Sequence, residues 1–209
     1  MADLVELGLA VKEGNRVKAK ELTQDALDEG IDFKKIMTEG LISGMTAIGE
    51  LFGAGEVYMP EVLMSARAMK ESMELILPLL ASSGFDYVAE VAMGTVKDDI
   101  HDIGKNIVAA VFTGSGFKVN DLGVNVAPDK FVEAVKQGAQ VVGMSALIGP
   151  TMPNMKLTIE ALEKAGVRSK VKVIIGGALV TQDYAEKIGA DLYAEDAFSG
   201  VNKLKELFG

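Results

Sequence analysis

The chain has 209 residues, 49% hydrophobic and 24% charged, enough to bury one large core or two small ones. A formal charge of −9 would repel a phosphate backbone and no basic cluster compensates locally, which argues against nucleic acid as a partner. With no cysteine and one histidine, disulfides, thiolate chemistry and Cys/His zinc sites fall away and a cytoplasmic location is expected.

From residue 1 to about 83 the apolar residues recur at helical spacing, broken by Gly or Asn, and predict helices over 2–13, 16–29, 32–51 and 60–81. Pro60 suits the first position of the last helix, where Leu63, Met64, Ala66, Met69, Met73, Ile76 and Leu77 form a broad apolar face. The connection "LFGAGEVYMP" keeps Phe52, Tyr58 and Met59 as large apolar groups around Gly53 and Gly55. They either pack back onto their own helices or form a lid over a ligand. After "SSGFDY" the pattern changes to short β-branched runs, "AEVAMGTV", "FKVNDLGV", "AQVVGMSAL", "VKVIIGGAL" and "ADLYAED", separated by helical stretches near 104–115, 128–138, 152–165, 181–188 and 197–208. Such alternation predicts an α/β fold, a doubly wound parallel sheet of flavodoxin-like (Rossmann-like) type with five strands. The expected boundary separates a helical domain, 1–86, from an α/β domain, 87–209. Charged residues or glycine interrupt every apolar segment, the N-terminus has no signal-peptide pattern, and no membrane association is expected.

In an open α/β sheet, ligands bind beyond the carboxyl ends of the strands. Three unusual stretches fall there: "KDDIHDIG" after the first strand, "SALIGPT" after the third and "IGGALVT" after the fourth. A loop histidine among acids is commonly just solvated, but here Asp99 lies two positions before His101. A carboxylate there can accept the second imidazole N–H, fix the tautomer and strengthen the free nitrogen as a ligand. Gly104 leaves room for a flat ligand against the loop, and Gly176 and Gly177 permit close approach to the backbone. If His101 binds a metal, the metal must arrive with most of its coordination filled, because no second histidine or cysteine exists. That means a macrocycle, a haem or a cobalt corrin. Two other classes stay open: a phosphate-accepting receiver-like signalling domain using the acidic cluster, weakened by Ser145 where its aspartate would stand, and an acid/base enzyme built on Asp99 and His101.

Asp99-x-His101-x-x-Gly104, then Ser145-x-Leu147, then Gly176-Gly177, resembles the DxHxxG...SxL...GG signature of corrinoid proteins and of the cobalamin-binding module of methionine synthase. The helical half, including "GELFGAGEVYMPEVLMSARAMK", is similar to the four-helix bundle cap that precedes this module in methyl-transferring members. The resemblance implies a cobalamin or related corrinoid cofactor, as methylcobalamin or cob(I)alamin, with His101 as the lower axial ligand of cobalt, Asp99 on its other nitrogen and Thr151 completing a ligand-proton relay. Asp98, Ile100, Asp102 and Ile103 would contact the corrinoid beside His101. Ser145, Leu147, Gly149, Gly176, Gly177 and Ala197 would line the channel for its nucleotide tail, Gly149 replacing a threonine that contacts the tail in methionine synthase. Glu39, Phe52 and Met59 match cap residues on the upper face. The implied function is a corrinoid methyl carrier of a methyltransferase system, taking a methyl group from a donor such as methanol, a methylamine or an aromatic methyl ether. Its implied partners are a substrate-specific methyltransferase, a second methyltransferase and a reductive activation protein. A cobalamin-dependent sensor or isomerase subunit is the alternative within the same family.

Overall fold

The computed structural model describes residues 3–83 and 87–208. The chain divides into two compact units, Met1–Asp86 with Thr113–Gly116, and Tyr87–Phe112 with Phe117–Gly209. The expected helix start at Ala2, residues 84–86 of the "SSGFDY" connection and the side chain of Leu77 lie outside the described residues.

The helical unit contains α1 (Leu4–Lys12), α2 (Arg16–Asp28), α3 (Phe33–Lys35), α4 (Ser43–Gly53) and α5 (Met59–Ser83). Asp3, Asn15 and Asp32 cap the first three by accepting from the amides of Val5, Lys18 and Lys34 at 2.9, 3.2 and 2.9 Å. The third expected helix runs from α3 to α4 without a break, but its centre, Ile36–Ile42, is π-helical. Local side chains account for this wider turn, which frees carbonyls from the ordinary ladder. The Ser43 hydroxyl bonds the carbonyls of Glu39 and Gly40 at 2.7 and 2.8 Å, while Thr38 and Thr46 bond those of Lys34 and Ile42 at 2.9 and 3.0 Å. The backbones of α1 and α4 come together at glycines: a Cβ on Gly44 would run into the Gly8 carbonyl and lie 2.8 Å from Val11 Cβ. Pro60 is the second residue of α5, one place later than the sequence suggested. Phe52 and Met59 are half-buried, whereas Tyr58 between them is exposed.

The second unit is a parallel five-stranded sheet in the order β2-β1-β3-β4-β5, formed by Glu90–Val96, Lys118–Val126, Val141–Ser145, Lys172–Gly176 and Leu192–Tyr193 (β1 to β5). Its helices are α6 (Ile103–Gly114), α7 (Pro128–Lys136), α8 (Pro153–Lys164), α9 (Gln182–Ile188) and α10 (Ala197–Phe208). This is the flavodoxin-like α/β order. β1, with strands on both sides, is buried from Val91 to Val96 and so reads as a continuous apolar run rather than an alternation. Val142, Val173 and Ile175 join Phe131, Met155, Ile159 and Leu162 in the core between sheet and helices. Each such side chain contributes roughly 1.5–3 kcal/mol by leaving water. The fifth strand shrinks to two residues because Asp191 turns back: its carboxylate accepts from the Val173 amide at 2.7 Å and pairs with Arg168 at 2.7 Å. The order of strand addition reverses between β1 and β3, so the crevice at the carboxyl end of the sheet opens between the loops after those strands.

Replacing Gly44 by alanine forces α1 and α4 apart and is expected to cost about 1–3 kcal/mol in urea unfolding. Gly53→Ala, whose Cβ would meet nothing within 4 Å, is expected to stabilise by at most about 1 kcal/mol.

Candidate functional site

Asp99 lies in the turn between β1 and α6 and is completely buried. Its carboxylate accepts at both oxygens. Oδ1 receives the His101 backbone amide at 3.0 Å and His101 Nδ1 at 2.8 Å, and Oδ2 receives the Leu147 amide at 2.9 Å and the Thr151 hydroxyl at 2.7 Å. Burial alone would push this carboxyl up. The amides of His101 and Leu147, the Thr151 hydroxyl and the imidazole outweigh it and hold the group well below the usual carboxylate range. An ionised carboxylate has no proton to give, so the shared proton sits on Nδ1, and in the neutral ring the lone pair is then on Nε2. The imidazole remains 47% exposed. The Thr95 hydroxyl, buried in β1, donates to the His101 carbonyl at 2.8 Å and fixes the residue from behind.

The surroundings of the imidazole are open and partly apolar. Ile100 and Ile103 are 74% and 77% exposed, far more than a folded chain ordinarily leaves to isoleucine. A Cβ on Gly104 or Gly149 would meet no atom within 4 Å. Asp98 and Asp102 are exposed, Asp102 accepting from Asn106 Nδ2 at 3.1 Å. Ser145 is half-buried at the end of β3 and pairs in register with Gly176 of β4. Leu147 exposes its side chain, and its backbone amide makes the bond to Asp99. Thr151 is buried at the end of a 3-10 turn, and its hydroxyl also lies 2.8 Å from the Ile148 carbonyl.

Gly176 and Gly177 have reasons of their own. Gly177 has φ +139°, and a Cβ there would collide with the Ala146 carbonyl; a Cβ on Gly176 would lie 3.0 Å from the Ala194 carbonyl. This pair is therefore required by the packing of β4 against its neighbours, whatever else it borders. Ala197 begins α10 and is buried. Glu39 belongs to the helical unit, in the π-helical turn, exposed and 3.7 Å from Lys35, and Phe52 and Met59 flank the α4–α5 connection of that unit.

Three residues around the histidine loop escaped the sequence reading. Asn154 Nδ2 donates to the Lys97 carbonyl at 2.8 Å, Asn125 Oδ1 accepts from the Asp98 amide at 2.8 Å, and Thr95 holds His101. An asparagine in "LGVNVAP", two positions after a glycine, is a signal for left-handed backbone, but nothing in the sequence says which loop it meets. Among the described residues, no cluster of three or more His, Asp or Glu side chains could hold a metal ion.

A family model described as a B12 binding domain matches residues 89–202, more than half of the chain, and a second B12 binding domain model matches residues 5–77. The chain belongs to the B12 binding domain family. Trimethylamine corrinoid protein 2 of Methanosarcina mazei is 44% identical over 94% of this chain and 91% of its own length. Among solved structures, a cobalamin-binding protein from Desulfitobacterium hafniense matches with TM-score 0.80 and 28% identity over 100% of both chains. The methanol:cobalamin methyltransferase complex of Methanosarcina barkeri matches with TM-score 0.81 and 28% identity, over 97% of this chain and 83% of that one. The residues of this B12 binding domain fit a corrinoid: a half-exposed imidazole held at Nδ1 has exposed apolar neighbours, the chemistry wanted by a metal whose other ligands come with a flat macrocycle.

Thr151→Val removes a donor from a buried charge and is expected to cost about 1.5–3 kcal/mol in urea unfolding, whereas Thr151→Ser retains most of that stability. Because the folded-state pKa of Asp99 is depressed, its stabilisation is complete above the unfolded carboxyl value of about 3.9. It is lost as pH falls from there towards the folded value. The stability gap between the wild-type chain and Asp99→Asn should therefore narrow below about pH 4, which denaturation at a series of pH values will measure.

Proposed function

We propose that this chain is the corrinoid methyl carrier of a methyltransferase system whose donor is a methylamine, with His101 as the lower ligand of the bound cobalt. The observation that carries this reading is the imidazole itself, the only one in the sequence, pinned at Nδ1 by a buried carboxylate while its side chain stays 47% exposed at the crevice of the sheet. The donor class is supported by relatives named as trimethylamine and dimethylamine corrinoid proteins. When bound, the corrinoid supplies a cobalt centre that alternately accepts and gives up a methyl group.

The residues of the chain divide the remaining work. Asp99 keeps the proton at Nδ1 and aims the ring, and Thr151 occupies the second carboxylate oxygen so that Asp99 stays oriented. Whenever Nε2 is free of metal it is the atom at which a proton enters from solvent, while Nδ1–H remains on Asp99. Ile100 and Ile103 give the corrin edge an apolar bed, with Asp98 and Asp102 at its rim, and the open space at Gly104 admits the ring. Ser145 and Gly176, level with each other in the sheet, begin the channel for the nucleotide tail, followed by Leu147, Gly149, Gly177 and Ala197. By resemblance to the methyl-transferring members, residues 1–86 form the helical cap unit, in which Glu39, Phe52 and Met59 match the cap residues of that family.

The chain alone contains a carrier site, and substrate activation belongs to partners: a methylamine-specific methyltransferase, a second methyltransferase that removes the methyl group, and a reductive activation protein. The absence of cysteine supports a cytoplasmic setting for these encounters. Among the described residues no helix is long and apolar enough to cross a membrane.

Reconstitution with hydroxocobalamin tests the ligand. His101→Ala should move the visible spectrum to that of a water-ligated corrinoid; identical spectra for the two proteins would remove the assignment. Presented with trimethylamine, dimethylamine, monomethylamine or methanol and the matching methyltransferases, the reduced carrier should be methylated fastest from one of the amines. Methylation from methanol alone would overturn the donor class.

A further inference from the structure

Among the described residues other than glycine, two adopt a left-handed backbone, Asp98 at φ 66° and Asn125 at φ 53°. They lie 27 positions apart, and they are bonded to each other: Asn125 Oδ1 accepts from the Asp98 amide at 2.8 Å. The next residue is held as well, since the Asn125 N–H donates to the Asp99 carbonyl at 2.9 Å. Left-handed backbone is costly for residues with a Cβ, least so for Asn and Asp, and persists where surrounding bonds impose it.

The strand that delivers Asn125 is shaped for this contact. β1 and β2 pair in regular register from Glu90 with Lys118 to Met93 with Asp121; then the register slips between Met93 and Gly94 and again between Gly94 and Val96, which pairs with Val126. Gly123, at φ 86°, sits within the slipped stretch, and Asp121 Oδ1 accepts its amide at 2.9 Å. On the opposite flank Asn154, in the first turn of α8, holds the Lys97 carbonyl at 2.8 Å. Lys97, Asp98 and Asp99 are thus tied at three successive residues by two asparagines, neither of which bonds the imidazole.

We propose that Asn125 is a positioning residue for His101: by fixing the backbone of Asp98 and Asp99 it sets the direction of the Asp99 carboxylate and hence the tautomer and orientation of the ligand ring. This inference rests on the reading of His101 as the metal ligand. It acts through Asp99, whose side chain reaches Leu147, Thr151 and His101 together from this main-chain position.

The single histidine makes the effect directly visible. Imidazole nitrogen NMR of the full chain without corrinoid should show the Nδ1–H tautomer, with an Nδ1 proton slow to exchange. Asn125→Gly keeps the left-handed backbone easy to adopt while removing the amide group. It should mix the two tautomers and speed exchange of the Nδ1 proton by about tenfold, the equivalent of one ordinary hydrogen bond. Gly44→Ala, which destabilises the helical unit, serves as the control for loss of stability and should leave the signature at its wild-type values. A wild-type signature in folded Asn125→Gly, or the same change in Gly44→Ala, would overturn the proposal. Because the readout needs no bound corrinoid, it separates from the ligand assignment, which stands or falls on the hydroxocobalamin spectra of wild type and His101→Ala.

Discussion

A buried carboxylate is the constraint around which the rest of the site is arranged. Asp99 has no contact with solvent, and an ionised group in that position is stable only if its oxygens are fully supplied with donors. Two donors come from His101 and two from the loop after β3, so the carboxylate ties together the two loops that form the sheet's crevice. Loss of any one donor would leave part of a buried charge uncompensated, which makes the positions of both loops interdependent. The imidazole is the exposed end of this arrangement. Its orientation is inherited from the buried carboxylate and the donors that hold it.

The surrounding structure supports that carboxylate at several levels. The interior strand β1 is buried from Val91 to Val96, and its Thr95 reaches forward to the His101 carbonyl. Lys105, buried in the first turn of α6, holds Asp121 of β2 at 2.7 Å and the Asn106 side chain at 2.7 Å, and Asn106 in turn bonds Asp102. A charge pair with one buried member is a weak source of stability but a firm constraint on geometry, because the lysine has nowhere else to place its proton donors. The loop bearing the histidine is consequently tied by hydrogen bonds to β1, β2, α6 and α8.

Much of this was legible in the sequence, for identifiable reasons. Strand and helix periods differ enough that the α/β order could be read off the chain, and the two-residue spacing of Asp99 and His101 is short enough for a carboxylate to turn back on the imidazole. Other features depend on contacts that a linear pattern does not carry. The π-helical turn adds less than one residue per turn to the helical period over Ile36–Ile42, and its stabilising hydroxyls at Thr38, Ser43 and Thr46 look like ordinary polar positions. The Gly176-Gly177 pair suggested space for a ligand, while the structure shows Gly177 pressed against the Ala146 carbonyl. Leu147 contributes a backbone amide, for which any residue other than proline would serve. The partnership of Asn125 with Asp98 spans 27 positions and depends on a slip in strand register.

That slip has a consequence beyond the site. β2 forms one edge of the sheet, and a straight nine-residue edge strand would present a row of unpaired amides and carbonyls to any passing extended chain. The bends at Gly123 and Asn125 break the row, while at the opposite edge β5 is only two residues long. Neither border therefore offers a long template for strand addition. The irregularity beside the histidine loop also works against strand-to-strand self-association into fibres, and so keeps the sheet discrete.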